Sequence, residues 1–414
     1  MTFSRCTPEE TPSWAVQELH TADLGDQRLN RRLATLVEQL AAQPNVSVPQ
    51  ATGSWAATKA TYRLWASERI TPDAIRAPHI DSTLDRGHAQ PLLLAIQDTT
   101  SLDFTHHPAT RGLGPIGGTS YQQGLHMHSV LAVTPDGLPL GLLHQQIWVR
   151  DPAAVGQKHT RHQRETADKE SQRWLTALAA TQTQIEPSTQ VVTIADREAD
   201  IYDLFASPRP AHSHLLIRAA YDRRVEQPDG HLWPRMRQAP VGGAFTVEVP
   251  RGDNQPARSA TLSLRWTSLR LKPPRHRKGQ HTLSAVPLHG VVAEEQQAPP
   301  GVQPICWLLL TTLPIVSRED AMQMVAWYTR RWLVERYHFV LKSGCRVEAL
   351  QLETAGRLER ALATYCIVAW RLLWLTYAAR LMPTAPCSVA LQPAEWQALY
   401  CTVHTTITTT LFLR

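Results

Sequence analysis

Two acidic residues follow apolar segments that have the composition of buried strands. Asp98 ends the segment LLLAIQD, and Asp196 ends VVTIAD, with Arg197, Glu198 and Asp200 directly behind it. An acid at the end of a buried strand lowers stability unless a metal ion or a distant partner compensates its charge. Acids are also common at such positions as helix caps and turn formers, so either aspartate alone has a structural explanation.

A third acid, Glu335, lies in YTRRWLVERYHFVLK, which has the pattern of a helix. Successive spacings of three, four and seven residues place Tyr328, Arg331, Glu335 and Lys342 near one helix face. A solvated face of ion pairs is one interpretation of this arrangement. In the other, the Arg and Lys bind phosphates beside a Glu that binds a metal ion.

If the two strands are adjacent, Asp98 and Asp196 meet at one edge of the sheet, and Glu335 can pack over that edge. Carboxylate oxygens arranged in this way suit hard divalent cations such as Mg²⁺ and Mn²⁺. Two such ions about 3.5–4 Å apart stabilise the attacking and leaving oxygens of a phosphoryl displacement. A pair of acids could equally serve a glycosidase, so the acids alone leave both chemistries open.

The composition is that of a globular chain with two or three structural units. Its 414 residues are 43% hydrophobic, and 42 basic against 36 acidic side chains give a net charge of +6, a weak indication of a polyanionic partner. The cysteines form no C-x-x-C pair, which argues against a zinc ribbon and fits a reducing cytoplasm. The N-terminus shows no signal-peptide pattern, and YCIVAWRLLWLTYAARLM, interrupted by two arginines, predicts a buried helix and not a membrane span.

The N-terminal part predicts a small helical unit. A leucine stripe runs through LGDQRLNRRLATLVEQLAAQP, and further helices are predicted in SWAATKATYRLWASE and ITPDAIRAPHI. From Leu92 onwards, apolar strands, a hairpin with a Pro-Asp-Gly turn and a helix through ETADKESQRWLTALAATQTQI predict an α/β or α+β core with a largely buried sheet.

Residues 218–300 are rich in Pro and Gly and contain short alternating segments, which predict an antiparallel β insertion with a basic face. After ICWLLLTTLPI, the segment 317–344 predicts one long helix with Ser317 and Asp320 as a capping pair. Another helix is expected from about Ala355 to Met382. The expected basic face comprises Arg251, Arg258, Arg265, Arg270, Lys272, Arg275, Arg277 and Lys278.

The combination of DTTSL after an apolar strand, IADREADIYDLF and the Y-(2)-R-(3)-E-(6)-K spacing resembles the DDE transposases of bacterial insertion sequences. More narrowly, the chain is similar to the insertion-sequence-four family of cut-and-paste transposases with a hairpin intermediate. LGDQRLNRRL, ATYRLW, GLLHQQIWVR and ICWLLLT match that family as well, and the similarity covers about residues 13–400.

The resemblance implies an α/β fold, in which an RNase H-like catalytic core carries an inserted antiparallel β subdomain and follows a small all-helical DNA-binding domain. The implied units are 1–86 (binding of transposon ends), 87–217 (first part of the core), 218–302 (β insertion), 303–385 (second part of the core, with the Y-R-E-K helix) and 386–414 (a shortened C-terminal tail).

The implied function is a DNA transposase that binds terminal inverted repeats and carries out metal-dependent strand cleavage and strand transfer. Asp98, Asp196 and Glu335 would be the catalytic residues and would bind two Mg²⁺ (or Mn²⁺) ions. The implied partners are double-stranded DNA, as transposon ends and target, and a second copy of the chain in the family's synaptic complex. Neither a membrane nor a small-molecule substrate is expected, and the implied location is the bacterial cytoplasm at the nucleoid.

The resemblance also assigns DNA contacts. Tyr328, Arg331 and Lys342 would hold the terminal phosphates and the flipped or hairpinned DNA end, and Arg197 would contact DNA beside the metal site. Trp307 matches the family's tryptophan that stacks on a flipped base, although a buried strand could also carry a tryptophan there. His128 and His338 are interpreted as core or supporting histidines. The positions that match basic residues of the end-binding domain are Arg28, Arg32 and Arg63.

The family continues with C-terminal helices that pair two subunits, whereas this sequence closes on ALYCTVHTTITTTLFLR, which lacks the pattern of a packed helix. A truncated or frame-shifted copy is expected from this, with dimerisation impaired. The second hypothesis is therefore a catalytically incompetent DNA-binding remnant that inhibits transposition. A polysaccharide hydrolase is the third, and it would need neither DNA nor metal.

Overall fold

A computed structural model of the chain describes residues 12–118, 121–155, 166, 169–228, 230–249, 257–275 and 283–404. The helices are α1 (Trp14–Glu18), α2 (Gln27–Ala42), α3 (Val48–Thr52), α4 (Trp55–Ala66), α5 (Pro72–His88), α6 (Gln172–Gln184), α7 (Tyr202–Ala206), α8 (Leu232–Gln238), α9 (Arg318–Thr329), α10 (Trp332–Phe339), α11 (Ala355–Leu381) and α12 (Pro393–His404). The strands are β1 (Leu92–Asp103), β2 (Gly114–Pro115), β3 (Gln123–Val133), β4 (Pro139–Trp148), β5 (Gln190–Ala195), β6 (Ser213–Arg218), β7 (Gly243–Val249), β8 (Arg258–Leu271), β9 (Val286–Glu295) and β10 (Cys306–Thr311).

The N-terminal helices confirm the sequence prediction, and the longer ones begin at side-chain caps. Asp26 accepts a hydrogen bond from the Arg28 N–H at 2.7 Å at the start of α2. Thr71 accepts one from the Ala74 N–H at 3.0 Å at the start of α5. Each cap satisfies a main-chain donor that has no partner inside its helix. α2 buries its predicted leucine stripe, and α5 continues past its predicted segment to His88.

The described strands form one mixed sheet in the order β2-β3-β1-β5-β6-β10-β9-β8-β7, with β4 paired to β3 outside this path. β1, β5 and β6 are parallel neighbours, and the remaining pairs are antiparallel. The predicted hairpin is confirmed, because β3 and β4 pair across the Pro-Asp-Gly turn, where Gly137 has the left-handed φ of +105°. The chain is therefore a mixed α/β protein with a mostly helical N-terminal region and a large sheet.

The strands expected in the β insertion, β7 to β9, extend this sheet, because β9 pairs with β10. The basic face expected there is largely occupied by contacts within the chain. Arg258 pairs with Glu295, Arg270 pairs with Glu226 at 2.5 Å, and Arg265 donates to a main-chain carbonyl. The expected basic residues that lie outside the described residues are Arg251, Arg277 and Lys278.

The single long helix predicted for 317–344 is wrong, because the structure divides it into α9, α10 and a π-helical turn at Val340–Gly344. The N–H groups of Arg330 and Arg331 bond to carbonyls three residues earlier, at 2.9 and 3.0 Å. This 3₁₀ tightening shifts the angular phase of α10 relative to α9. The predicted capping pair Ser317 and Asp320 is confirmed at the start of α9.

The C-terminal tail contains a helix that is not packed in the core. α12 starts at Pro393 with Glu395 in its first turn, and its Leu399, Tyr400 and Val403 side chains are exposed, which agrees with the prediction that this segment lacks a packed helix. Acidic residues in a first turn stabilise the positive end of the helix dipole, which favours a helix here despite the following threonines. Residues 405–414, including most of the Thr-rich segment, lie outside the described residues.

α11 is the central core helix and confirms the predicted buried helix. Within the described residues it is the one helix long and apolar enough to cross a membrane, and 78% of its most apolar 18-residue stretch is buried inside the protein. The N-terminal helices pack on it through specific polar contacts. Trp65 donates its indole N–H to Thr364 at 3.1 Å, and Arg360 donates to the Ile70 carbonyl at 2.6 Å. The helical region is thereby fixed to the core.

A buried polar cluster attaches α1 and α5 to β4. The Leu142 N–H donates to His79 Nε2 at 3.1 Å, so Nδ1 carries the proton and donates to Glu18 at 2.5 Å. Arg86 donates to both carboxylate oxygens of Glu18, at 2.7 and 2.9 Å. Burial lowers the pKa of His79, which keeps its ring neutral. Burial alone would raise the pKa of Glu18, but the hydrogen bonds from His79 and Arg86 and the charge of Arg86 outweigh it and lower that pKa, so Glu18 stays ionised.

Candidate active site

The register of β1 and β5 places Asp98 and Asp196 side by side. The last paired residues of these parallel strands are Ile96 and Ile194, and each aspartate lies two residues further along its strand direction. A step of two residues returns to the same face of a sheet, and neighbouring strands are about 4.8 Å apart. Ile96 and Ile194 belong to the core cluster that also contains residues of α10 and α11. Both acids therefore follow the face that these helices cover.

Asp196 is held by the turn that follows it. It caps a 3₁₀ turn at Arg197–Ala199, and its Oδ1 accepts a hydrogen bond from the Glu198 N–H at 2.9 Å. Burial raises the pKa of Asp196, and the carboxylates of Asp98 and Glu335 raise it further, against the Glu198 hydrogen bond and the Arg331 charge. The carboxylates of Asp98 and Glu335 are thus close enough to Asp196 to repel its charge.

Glu335 lies on α10, and its carboxylate points towards the guanidinium of Arg331. Its side chain is 51% exposed, and its Oε1 lies 2.5 Å from the guanidinium of Arg331, one helical turn earlier. Among the described residues, no three His, Cys, Asp or Glu side chains are close enough together to hold a metal ion. In the structure Glu335 is thus paired with Arg331 and does not form a ready-made cluster with the two aspartates.

The donor set itself suits a hard divalent cation. All three side chains offer carboxylate oxygens, which Mg²⁺ and Mn²⁺ prefer over nitrogen or sulfur ligands. Burial and, to a smaller extent, the neighbouring carboxylates raise the pKa of Asp196, and a bound cation would offset the repulsion between the carboxylates. The residues present therefore fit a divalent metal chemically, with Asp98 and Asp196 arranged by the sheet and Glu335 joining from the helix.

The two histidines lie on opposite sides of β1. His338 is buried, with its Nδ1 3.6 Å from Asp98 Oδ2 and its Nε2 3.3 Å from Ser129 Oγ. His128 is fully buried on the other face, where it contacts the Thr99 hydroxyl at 2.9 Å, and burial lowers its pKa. His338 therefore supports the acid face, whereas His128 is a core residue.

The predicted phosphate-binding residues separate into two groups. Tyr328 is buried, with its ring edge-on to Trp307 at a centroid distance of 5.6 Å, and Arg331 lies between Tyr328 and Glu335 in sequence. Burial raises the pKa of Tyr328, opposed by Arg331 and Arg218. Tyr328 and Arg331 are both within electrostatic range of Asp196 and form the first group.

Lys342 lies further along β1. Its Nζ donates to the Ser101 carbonyl at 2.9 Å and lies 3.3 Å from Glu348 Oε1. Ser101 is three residues beyond Asp98, so the lysine marks the other end of the acid face. Arg197 is exposed directly after Asp196, and Trp307 is half-buried at the start of β10.

A separate basic cleft lies between α2 and α4. Its volume is about 660 Å³, and its floor includes Leu29, Leu64 and Ile70. Asp26 is the one acidic residue in its lining. The cleft brings together the three predicted arginines with a lysine that the resemblance did not single out. The cationic residues of this cleft are Arg28, Arg32, Lys59 and Arg63.

Sequence reasoning missed Arg173, whose guanidinium contacts the segments after both aspartates. Nothing in QRWLTALAATQTQ marks this arginine, because its partners are distant in sequence. The one available signal is its position beside Trp174 at the start of an amphipathic helix, where an arginine is well placed to stack on an indole.

Two families match the sequence. The family described as "Transposase DNA-binding" matches residues 11–70, the region that contains the basic cleft. The family described as "Transposase DDE domain" matches residues 153–371, which is more than half of the chain and includes Asp196 and Glu335. Asp98 precedes the matched segment and is connected to it by the pairing of β1 with β5.

The repulsion at Asp196 predicts that its neutralisation stabilises the metal-free protein. The pKa of Asp196 is higher in the folded chain than in the unfolded chain, so its ionised form opposes folding at pH 7 and ceases to do so as the pH falls through the folded-state pKa. Asp196→Asn keeps the capping oxygen. It is expected to raise the free energy of unfolding at pH 7 in a chelator, because it removes a charge that burial and the neighbouring carboxylates disfavour.

Denaturant unfolding with and without Mn²⁺ measures this effect. Asp151→Asn is the matched control, because Asp151 caps a 3₁₀ turn in the same way, through the Ala153 N–H at 2.9 Å. Mn²⁺ should stabilise the wild type and the control but not Asp196→Asn. Destabilisation by Asp196→Asn in chelator, together with equal stabilisation of all three proteins by Mn²⁺, would refute a cation site at this residue.

Proposed function

Because this chain belongs to the DDE transposase family and is a DNA transposase with an RNase H-like core, we propose that it binds the terminal inverted repeats of a mobile element and cuts and joins DNA strands at Asp98, Asp196 and Glu335. The observation that carries the proposal is the placement of Asp98 and Asp196 at equivalent positions of adjacent parallel strands, within electrostatic range of Glu335. The Y-R-E-K spacing further favours the insertion-sequence-four family.

The three carboxylates hold two Mg²⁺ or Mn²⁺ ions in this proposal. When bound, these ions activate a water molecule and stabilise the charge of a phosphoryl transition state. The chain's own residues orient the reactants. The Glu198 N–H fixes the rotamer of Asp196 through its hydrogen bond to Oδ1, and His338 packs against Asp98. Asp98 and Asp196 lie on two adjacent, paired strands, which limit how far either carboxylate can move from its position.

Arg331 exchanges partners in this proposal. It neutralises Glu335 in the structure, at 2.5 Å, with its own side chain only 19% exposed. When Glu335 turns towards the cation site, the guanidinium is released next to it and can pair with a phosphate oxygen of the DNA end. Lys342 supplies a second positive charge at the Ser101 end of the face. In this proposal the scissile phosphate would pair with the Arg331 guanidinium on the Asp196 side of the acids and with the Lys342 ammonium group on the Ser101 side.

Trp307 and Tyr328 form an aromatic pair beside the acids, with Arg197 exposed nearby. Stacking on an aromatic face is a common way to hold an unpaired base, and it contributes about 1–3 kcal/mol per base. The half-buried indole of Trp307 is the available surface, because Tyr328 is buried behind it. Trp307 therefore holds the extruded base at the cleaved end, and Arg197 contacts the adjoining backbone.

The basic cleft between α2 and α4 binds the duplex near the transposon end. Four cationic side chains line it, and phosphate contacts of this kind supply most of the affinity for DNA without specifying sequence. The units 1–86, 87–217, 218–302, 303–385 and 386–414 remain the proposed domain organisation, and a second copy of the chain is the proposed partner in the synaptic complex.

Strand cleavage is the direct test of this function. The protein is incubated with duplex DNA that carries the inverted repeats flanking its gene, with Mg²⁺ or Mn²⁺, and the products are examined for a nick that leaves a 3′-hydroxyl. Asp98→Asn and Glu335→Gln are expected to lower the rate about 100-fold or more, because each removes a ligand worth several kcal/mol of transition-state stabilisation. Glu186→Gln, at an exposed glutamate on the surface, serves as the matched control.

The outcomes separate the hypotheses. Nicking by the wild type and the control, lost in the two acid variants, supports the proposed enzyme. Specific binding without nicking favours the DNA-binding remnant. Nicking that persists in both Asp98→Asn and Glu335→Gln would refute the assignment of the acids.

DNA binding tests the cleft separately. Arg28→Ala combined with Arg63→Ala should weaken binding to any duplex, because the lost contacts are to phosphates. The slope of log K against log salt concentration should become shallower by about 0.9 for each lost phosphate contact. Arg31→Ala is the matched control, since Arg31 is an exposed arginine of α2 outside the cleft lining. Equal slopes for the wild type and the double variant would exclude the cleft as the phosphate-binding surface.

A further inference from the structure

One guanidinium connects the two segments that carry the aspartates. Arg173, in the first turn of α6, lies between the indole rings of Trp148 and Trp174, with its Cζ 5.8 and 5.4 Å from the ring centroids. Its side chain is only 12% exposed. Flanking aromatic rings restrict a guanidinium to few orientations, so the direction of its N–H groups is fixed.

Each nitrogen of Arg173 has a different acceptor. Nε donates to Thr99 Oγ1 at 2.8 Å, one terminal nitrogen donates to Glu198 Oε2 at 2.7 Å, and the other donates to the Glu170 carbonyl at 2.8 Å. Charge-assisted bonds from a planar fork are both strong and directional. The Arg173 guanidinium therefore connects α6 to β1 and to the turn after β5, and its three hydrogen bonds fix their relative positions.

Two of the residues that accept hydrogen bonds from Arg173, Thr99 and Glu198, are directly connected to the acids. Thr99 follows Asp98 in β1, and its side chain lies on the opposite face of the sheet because successive strand residues alternate. Glu198 donates its N–H to Asp196 Oδ1 at 2.9 Å. Arg173 thus holds both acid-bearing segments from the face of the sheet away from the acids themselves.

This link lies just beyond the point where β1 and β5 stop pairing with each other, although β1 continues to pair with β3. Pairing between β1 and β5 ends at Ile96 and Ile194, two residues before the acids. Beyond that point, repulsion between Asp98 and Asp196 favours separation of the two segments. A bond from Arg173 to each segment opposes that separation in place of the missing ladder hydrogen bonds.

We infer that Arg173 is a positioning residue that sets the separation of Asp98 and Asp196 for cation binding. This inference rests on the proposed function, since it concerns the same acids. Partners outside the ligand set of a metal site typically change metal affinity about 10- to 100-fold when they are removed. Lysine cannot replace arginine here, because a single ammonium group cannot reach three acceptors in fixed directions.

Mn²⁺ binding to the DNA-free, full-length protein tests the inference, with free Mn²⁺ measured by electron paramagnetic resonance. Arg173→Met and Arg173→Lys are compared with Arg150→Met, the matched control. Arg150 pairs with Glu170 at 2.5 Å in the same region, but none of its described bonds reaches Thr99 or Glu198. Glu198→Gln is a milder variant at a 63% exposed side chain. Its amide oxygen can still accept a hydrogen bond, so the variant weakens one arm of the link by removing its charge.

Arg173→Met is expected to weaken Mn²⁺ binding about 10-fold or more, with Arg173→Lys restoring little of it and Arg150→Met unchanged. Nicking by Arg173→Met should require a correspondingly higher Mn²⁺ concentration and recover when Mn²⁺ is saturating. Glu198→Gln should weaken binding in the same direction, and the double variant with Arg173→Met should be no weaker than Arg173→Met alone, because both act through one link.

Wild-type affinity in both Arg173→Met and Glu198→Gln would overturn the inference while leaving the proposed function intact. Multiplied losses in the double variant would also overturn it, because independent effects cannot come from a single link. If the wild type itself neither binds Mn²⁺ nor nicks DNA, the proposed function fails, and this inference fails with it.

Discussion

Parallel pairing of β1 with β5 is the constraint on which the rest of the site depends. It carries Asp98 and Asp196 to equivalent positions on one face, where burial and neighbouring carboxylates raise the pKa of Asp196. Such an arrangement opposes folding unless a cation offsets it. Arginine side chains on both faces of the sheet counteract this repulsion. Arg331 neutralises Glu335 from the helical side, and Arg173 joins the residues that follow the two aspartates from the other side.

The proposed chemistry and the proposed DNA binding are located in different parts of the chain but are rigidly connected. The basic cleft belongs to the N-terminal helices, which are fixed to α11 by the Trp65 and Arg360 hydrogen bonds and to β4 by the Glu18 cluster. α11 also packs in the same core as α10, which carries Glu335. Buried contacts therefore fix the position of the cleft relative to the acids, so DNA bound in the cleft has a defined position relative to Asp98, Asp196 and Glu335.

Local patterns were sufficient to predict Asp196 directly after a strand, the β3–β4 hairpin, the cap of α9 and the buried helix α11, because each depends on residues close in sequence. The strand end predicted at Asp98 is wrong, because pairing with β3 continues β1 to Asp103. Predictions that depended on long-range partners were less successful. Arg258 and Arg270 look like surface cations in sequence, but they pair with glutamates from other segments. The break between α9 and α10 has no Gly or Pro to mark it, and Arg173 has partners 74 and 25 residues away.

A crystal structure of the protein soaked with Mn²⁺, with anomalous scattering data, would test the convergence of the three carboxylates most directly. The expected result is an anomalous peak within about 2–2.6 Å of oxygens from Asp98 and Asp196, with Glu335 turned away from Arg331 towards the ion. Saturating Mn²⁺ with no peak between the two aspartates, or a peak that leaves both carboxylates uncoordinated, would contradict the account.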